Sequence, residues 1–254
     1  MTRSCLALSM QWLPEGWFPK FVAVDIDGTL TDGEKRLNTS ALNALERLEK
    51  VGIPIILATG NVRAIAYGLW RFLKLSGPIC CENGGVLWHP SFTEPILQAD
   101  GTEAKRAAEW LDTVMQLTEG SKGIESNQWR ESEWCLHPSE NLEQIRMHLA
   151  DSEWSHLSAL RTGFAIHLME PHLTKGSGLE ILLERMGWSK DDMLCVGDAP
   201  NDLPMFELAH WSVAVKGAFE SVLQAADVCS PHYHGDTFEP LVEAIIEAKN
   251  NSIN

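Results

Sequence analysis

The chain has 254 residues, 44% of them hydrophobic, with 20 basic and 35 acidic side chains and a formal net charge of −15. That is enough apolar content for one good core and a smaller satellite unit, while the acidic balance excludes nucleic acid because no basic stripe is available to neutralise phosphates. No apolar stretch approaches the roughly 18 residues of a membrane span, and the six cysteines (Cys5, Cys80, Cys81, Cys135, Cys195, Cys229) form no CxxC pair, so the chain reads as cytoplasmic, without membrane contact or disulfide framework.

Residues 1–20, with Pro14, Gly16 and Pro19, read as an irregular lead-in whose apolar piece, CLALSM, makes a poor secretory signal. FVAVD then has the continuous apolar character of a buried strand with a polar stop. NTSALNALERLEKVG predicts a helix capped by Thr39 or Ser40, striped by Leu42, Leu45 and Leu48 and stopped at Gly52. IPIILA is a second buried strand, and Asn61 is placed to cap a helix carrying Val62, Ile65, Leu69 and Leu73. PICC is a third strand, followed by the turn sequence ENGG. This β-α-β-α-β order with unbroken apolar strands predicts a parallel sheet covered on both faces.

The rhythm changes after Gly85. A helix is predicted at about 102–118, a strand over QWRESEWCL, a helix opened by Ser139, and two more strands in HLSAL and FAIHLM. That order suggests a small α+β insert with an antiparallel sheet, and its tryptophans (Trp88, Trp110, Trp129, Trp134, Trp154) read mainly as packing, some able to wall a site. From Lys175 the α/β rhythm resumes: a helix through KGSGLEILLERMG, a strand in DMLCVGD, a short helix from Pro200, strands in SVAV and DVCS, and a last amphipathic helix near 238–248. The expected architecture is α/β: a Rossmann-like parallel-sheet core, 1–86 and 172–254, with an α+β cap domain inserted at 87–171.

Distinctive polar groups stand at the strand ends: Asp25 and Asp27, Thr59, and Asp198. In an open parallel sheet these ends line the ligand crevice, so groups far apart in the chain converge. Asp25 and Asp27 are i and i+2 and point to one side of an extended segment. Singly, a DxD, a Thr-Gly pair or a GDxxxD each also serves as a turn or helix cap; their joint order is what points to chemistry. With Asp198 and Asp202 the crevice gathers four carboxylates, which call for a hard cation, and oxygen ligands favour Mg²⁺ over Zn²⁺. Lys175 opens a helix, where the dipole disfavours a cation. It reads either as a solvated loop lysine or as the charge that lowers a nucleophile's pKa and neutralises substrate oxygens; beside four acids the second reading is adopted.

DIDGT at 25–29, LATGN at 57–61, Lys175 in KGSG and VGDAPND at 196–202 resemble, in order, the four motifs of the haloacid dehalogenase-like phosphohydrolases. The insert between the second and third motifs is similar to the cap of the branch that holds sucrose-phosphate phosphatase and sugar-phosphate phosphatases. SGPICCENGGVLW and ESNQWRES look most like the archaeal-type phosphoglycolate phosphatases. Against that branch the lead-in is long, and Met10 is an alternative start.

The resemblance implies a Mg²⁺-dependent phosphatase of a small phosphate monoester, 2-phosphoglycolate first. Asp25 would be the nucleophile and Asp27 the general acid and base. Mg²⁺ would be held by Asp25, the Asp27 carbonyl, Asp198 and, directly or through water, Asp202. Thr59, Gly60, Asn201 and Lys175 would hold the phosphoryl oxygens. A substrate carboxylate needs a cation from the cap, and Arg130 is the candidate because guanidinium matches carboxylate geometry; pairing with Glu131 or Glu133 is its other reading. A monomer or homodimer is the expected assembly. Two rivals stand: a sugar-phosphate phosphatase or phosphomutase with the same nucleophile, and a phospho-accepting receiver-like signalling module. His232 and His234 read as surface loop, His167 as a core or cap-sheet residue.

Overall fold

A computed structural model describes residues 11–252; Cys5, CLALSM and Met10 lie outside them. Residues 11–20 hold no helix or strand. The chain then runs β1 (Phe21–Val24), α1 (Thr39–Lys50), β2 (Ile55–Ala58), α2 (Arg63–Leu73), β3 (Ile79–Cys81), β4 (Val86–Trp88), β5 (Ile96–Leu97) and α3 (Thr102–Met115). It continues through β6 (Trp134–Leu136), α4 (Leu142–Ala150), β7 (Ser158–Arg161), β8 (Ile166–Met169) and α5 (Lys175–Met186). It closes with β9 (Met193–Gly197), α6 (Leu203–Leu208), β10 (Trp211–Lys216), α7 (Glu220–Ala225), β11 (Val228–Tyr233) and α8 (Phe238–Asn251).

Eight strands form one sheet in the order β11-β10-β9-β1-β2-β3-β4-β5. The first six of that order are parallel neighbours, with Val22 opposite both Ile55 and Leu194. Every residue of β1, β2, β3 and β9 is buried, as strands covered on both faces must be. The sheet is mixed rather than purely parallel, because β4 and β5 add antiparallel at one edge. The larger sheet thus reaches Leu97, past residue 86 where the core was expected to break off. A separate antiparallel sheet, β6-β8-β7, carries α3 and α4 over a second apolar cluster that includes Leu111, Ile145, Trp154 and Leu168. Among the described residues no helix is long and apolar enough to cross a membrane.

Three caps differ from expectation. Asn38, not Thr39 or Ser40, accepts the Ala41 N–H at the start of α1 (3.1 Å), and Asn141, not Ser139, caps α4. Asn61 does not cap α2, which begins after Val62 without a side-chain cap. QWRESEWCL is a strand only over Trp134–Leu136, because residues 130–133 turn their polar groups toward the main sheet. Of the tryptophans, Trp88 meets Trp70 edge-on, Trp154 is buried in the second core, Trp110 and Trp134 pack against it, and Trp129 is half exposed.

Glycines set how closely α5 approaches the sheet. Gly84 has φ +96°, and a Cβ there would lie 2.1 Å from the Thr174 carbonyl oxygen. A Cβ on Gly178 would lie 2.6 Å from the Gly84 Cα and 2.8 Å from the Cys80 sulfur. Backbone on both sides cannot yield, so Gly178→Ala should destabilise the fold by about 1–3 kcal/mol. The check is a lower urea midpoint at unchanged slope.

Candidate active site

At the end of β1 the chain turns at once. The Ile26 carbonyl accepts the N–H groups of Thr29, Leu30 and Thr31, and Gly28 takes φ +86°. A Cβ on Gly28 would sit 2.3 Å from an Asp198 carboxylate oxygen, so only glycine lets the β9 loop close on the β1 loop. Thr29 donates its hydroxyl hydrogen to Asp198 Oδ1 at 3.1 Å. Carboxylate oxygens of Asp25, Asp198 and Asp202 all lie within 4.8 Å of one another.

Lys175, at the first position of α5, is fully buried, and its Nζ donates to Asp25 Oδ1 and to Asp202 Oδ1, each at 2.5 Å. Asp202 turns its other oxygen to the N–H groups of Asp198 (2.8 Å) and Ala199 (2.9 Å). Both Asp202 oxygens therefore have protein partners. An oxygen-only trio of this kind suits a hard divalent cation. Asp25 and Asp198 are the residues best placed to touch it, with Asp202 acting directly or through water.

Burial and neighbouring charge set the proton affinities. Burial raises Asp25 well above the ordinary carboxylate range; Lys175 opposes this, while Asp202, Asp198 and Asp27 reinforce it. Burial, then Asp202, pushes Asp198 up to about 7. Asp27 is also raised by burial, against the lowering influence of Lys35, Lys175 and the amide of Asn61.

Thr59 is buried at the end of β2, its hydroxyl oxygen accepting the Asn61 N–H at 3.0 Å. The Asn61 amide donates to Asp27 Oδ2. Asn201 donates to Asn83 Oδ1 at 3.0 Å and leaves its own Oδ1 buried without a protein partner. Asn83 in turn donates to Glu133 Oε2 at 3.1 Å. Arg130 reaches the Gly60 carbonyl at 3.1 Å and pairs with Glu133, its side chain fully enclosed and its Nε and Nη2 unpartnered. All the sequence-named site residues thus fall into one connected region at the strand ends, with Arg130 arriving from the other sheet's unit.

Sequence reasoning missed Asn61, Asn83, His234 and Lys35 as members of this region, and named Glu133 only as the other reading of Arg130, a pair the structure does contain. Asn61 and Asn83 stood inside quoted motifs but were read as a cap and a turn. His234 is not merely surface: its Nδ1 lies 2.6 Å from the Gly28 carbonyl, which can only accept, so that nitrogen carries the hydrogen. His167 is buried on β8 with Nδ1 2.8 Å from Glu133 Oε1. Glu133, Cys135 and His167 also converge, but Arg130 already neutralises Glu133 and burial raises the Cys135 thiol. Of the three, Glu133 is the partner of the Arg130 guanidinium.

A carboxyl whose folded pKa lies above its unfolded value contributes stability at low pH that is lost as pH rises, for Asp198 up to about 7. A cation must displace those protons. Titration with Mg²⁺, read by thermal stabilisation, should show affinity rising about tenfold per pH unit for each proton displaced below about pH 7 and levelling above it.

The model of the haloacid dehalogenase-like hydrolases matches residues 22–139 and 135–237. A phosphoglycolate phosphatase of Archaeoglobus fulgidus is 34% identical over 89% of this chain and 96% of its own length. One of Methanothermobacter thermautotrophicus is 36% identical over 85% and 93%. A solved structure from Thermoplasma acidophilum has the same fold, with a TM-score of 0.81 at 24% identity over 91% of this chain and 99% of that one. A haloacid dehalogenase-like hydrolase from Bacteroides thetaiotaomicron follows at 0.71 and 20% over 90% and 99%. This chain belongs to the haloacid dehalogenase-like hydrolases and is a phosphatase of that family.

Proposed function

We propose that the protein is a Mg²⁺-dependent phosphatase that hydrolyses 2-phosphoglycolate to glycolate and phosphate. The observation that carries this reading is the Lys175 ammonium fixed between Asp25 and Asp202, with Asp198 beside them. The substrate is supported by the relatives named phosphoglycolate phosphatase at 34% and 36% identity. The same reading divides the chain into a catalytic unit around the larger sheet and a cap around the smaller one, working in the cytoplasm.

In the proposed reaction a free oxygen of Asp25 attacks phosphorus in line and forms an aspartyl-phosphate as the ester bond breaks. Asp27 gives its proton to the leaving alkoxide and then takes one from the water that cleaves the acyl phosphate. Its raised proton affinity suits an acid that must be protonated when the ester binds and a base afterwards. Thr59, the Gly60 loop, Asn201 and Lys175 meet the phosphoryl oxygens, and the unpartnered Asn201 Oδ1 leaves room for a further donor there. Arg130 belongs to the substrate-binding set, holding the Gly60 peptide in place. Mg²⁺, on Asp25, the Asp27 carbonyl, Asp198 and Asp202, would supply charge neutralisation for the phosphoryl group.

Phosphate release from a panel of monoesters tests this. 2-Phosphoglycolate should lead the panel; hexose phosphates turned over faster would overturn the substrate. Asp25→Asn should lower kcat at least ~1000-fold, as loss of a nucleophile does. Asp27→Asn should accumulate a covalent phosphoenzyme, visible as one added phosphoryl mass. Labelling of Asp25 without sustained phosphate release by the unmodified protein would instead favour a receiver-like module.

A further inference from the structure

The proposed substrate carries a carboxylate one carbon from its ester oxygen, so a cation is needed near Asp27, on the leaving-group side of the phosphoryl centre. Arg130 stands behind the Gly60 loop, and Lys35 stands in the cleft that Asp27 lines. Arg130 is enclosed, with one nitrogen committed to the Gly60 carbonyl and to Glu133, and it does not line the cleft that reaches Asp27. Lys35 is exposed and lines the same cleft as Asp27 and Asn61.

The way Lys35 is held distinguishes it from an ordinary surface lysine. It stands at the tip of a tight turn closed by a bridge between Thr31 and Leu37. Asp32 Oδ1 accepts the N–H groups of Glu34 (2.8 Å) and Arg36 (2.9 Å), and the Asp32 and Lys35 backbones bond across the turn. Lys35 itself takes φ +62°, in the left-handed region that few side-chain-bearing residues adopt. Its Nζ lies 3.4 Å from the Gly163 carbonyl oxygen, at the tip of the β7–β8 hairpin of the other sheet. No carboxylate pairs with it at ion-pair distance among the described residues. The cleft walls carry apolar side chains, from Leu37, Leu42, Ile65, Leu69 and Phe72.

We infer that Lys35 is the specificity-determining cation of this site, receiving the carboxylate of a phosphorylated short-chain acid while the phosphoryl group lies on Asp25. The assignment rests on the reading of the preceding subsection. It gives the two cations different tasks: Arg130 positions the Gly60 loop, and Lys35 reads the leaving group.

The test compares 2-phosphoglycolate with ethyl phosphate, which has the same number of carbons and no carboxylate, in the presence of Mg²⁺. For Lys35→Gln the ratio of kcat/KM values for the two substrates should fall about 10- to 100-fold, the range of a lost charge-assisted hydrogen bond. The loss should appear mainly in KM, weaken competitive inhibition by glycolate in step, and be largely restored in Lys35→Arg. A merely structural role would depress both substrates alike and leave the ratio standing. A ratio unchanged in Lys35→Gln overturns the assignment, as does a selective fall confined to Arg130→Lys. No preference of the unmodified enzyme for 2-phosphoglycolate over ethyl phosphate would remove the substrate reading itself, a failure visible before any variant is made.

Discussion

Lys175 has no exposure to solvent, and its ammonium lies 2.5 Å from Asp25 on one side and from Asp202 on the other. An ammonium taken out of water alone loses several kcal/mol of hydration, and the Coulomb attraction of one partner does not reliably recover it. Two carboxylates at contact distance do, and they overcome the ~0.3–1 kcal/mol by which a helix N-terminus disfavours a cation. The arrangement requires α5 to dock tightly, which Gly84 and Gly178 permit by lacking side chains. It also requires Asp202 to stay put, and the Asp198 and Ala199 N–H groups hold it from behind. A Cβ on Gly197 would lie 2.5 Å from the Asp202 carboxyl carbon, so this part of the β9 loop, too, is shaped around one acid.

One lysine does not balance the carboxylates gathered here. The excess appears as raised proton affinity at Asp25 and Asp198, both driven first by burial. A site in this condition takes up protons, which a bound cation would displace. A divalent cation held by Asp25, Asp198 and Asp202 would restore positive charge there, on a protein whose net charge of −15 repels anions. Attraction in this molecule is local and buried while repulsion is diffuse and screened over about 8–10 Å in physiological salt. The local contribution therefore wins inside the cleft.

The parallel core was legible because its strands are unbroken apolar runs, and the site because each motif stands where such a run stops. What escaped notice has a physical reason in each case. β4 and β5 are short edge strands that show no period of their own; they exist because β3 offers them an open edge. Residues 130–133 look like a strand by composition, but Glu82 draws the N–H groups of Glu131 and Ser132 across to it and breaks the run. Asn61 carries a side chain able to cap, yet its amide nitrogen donates to Asp27 Oδ2, and α2 begins after Val62 without a side-chain cap. Lys35 gives no sign in sequence at all, because its backbone conformation and its place beside Asp27 come from the turn that Asp32 ties.

The two hydrophobic clusters are separate, and what joins them around the site is polar. Arg63 makes a forked pair with Glu131 at 2.9 and 3.1 Å, partly open to water, so its contribution is modest. Glu82 is deeper, and burial followed by repulsion from Glu133 pushes it up to about 7. Burial would raise Glu133 as well, but His167 and Arg130 more than reverse that and hold it below the usual range. A junction of this composition closes by hydrogen bonds that water can replace one at a time, unlike an apolar interface that resists opening as a whole. The hydrogen bond from Arg130 to the Gly60 carbonyl crosses that same junction. The geometry of the Gly60 loop and the seating of the smaller unit are therefore one property of the molecule rather than two.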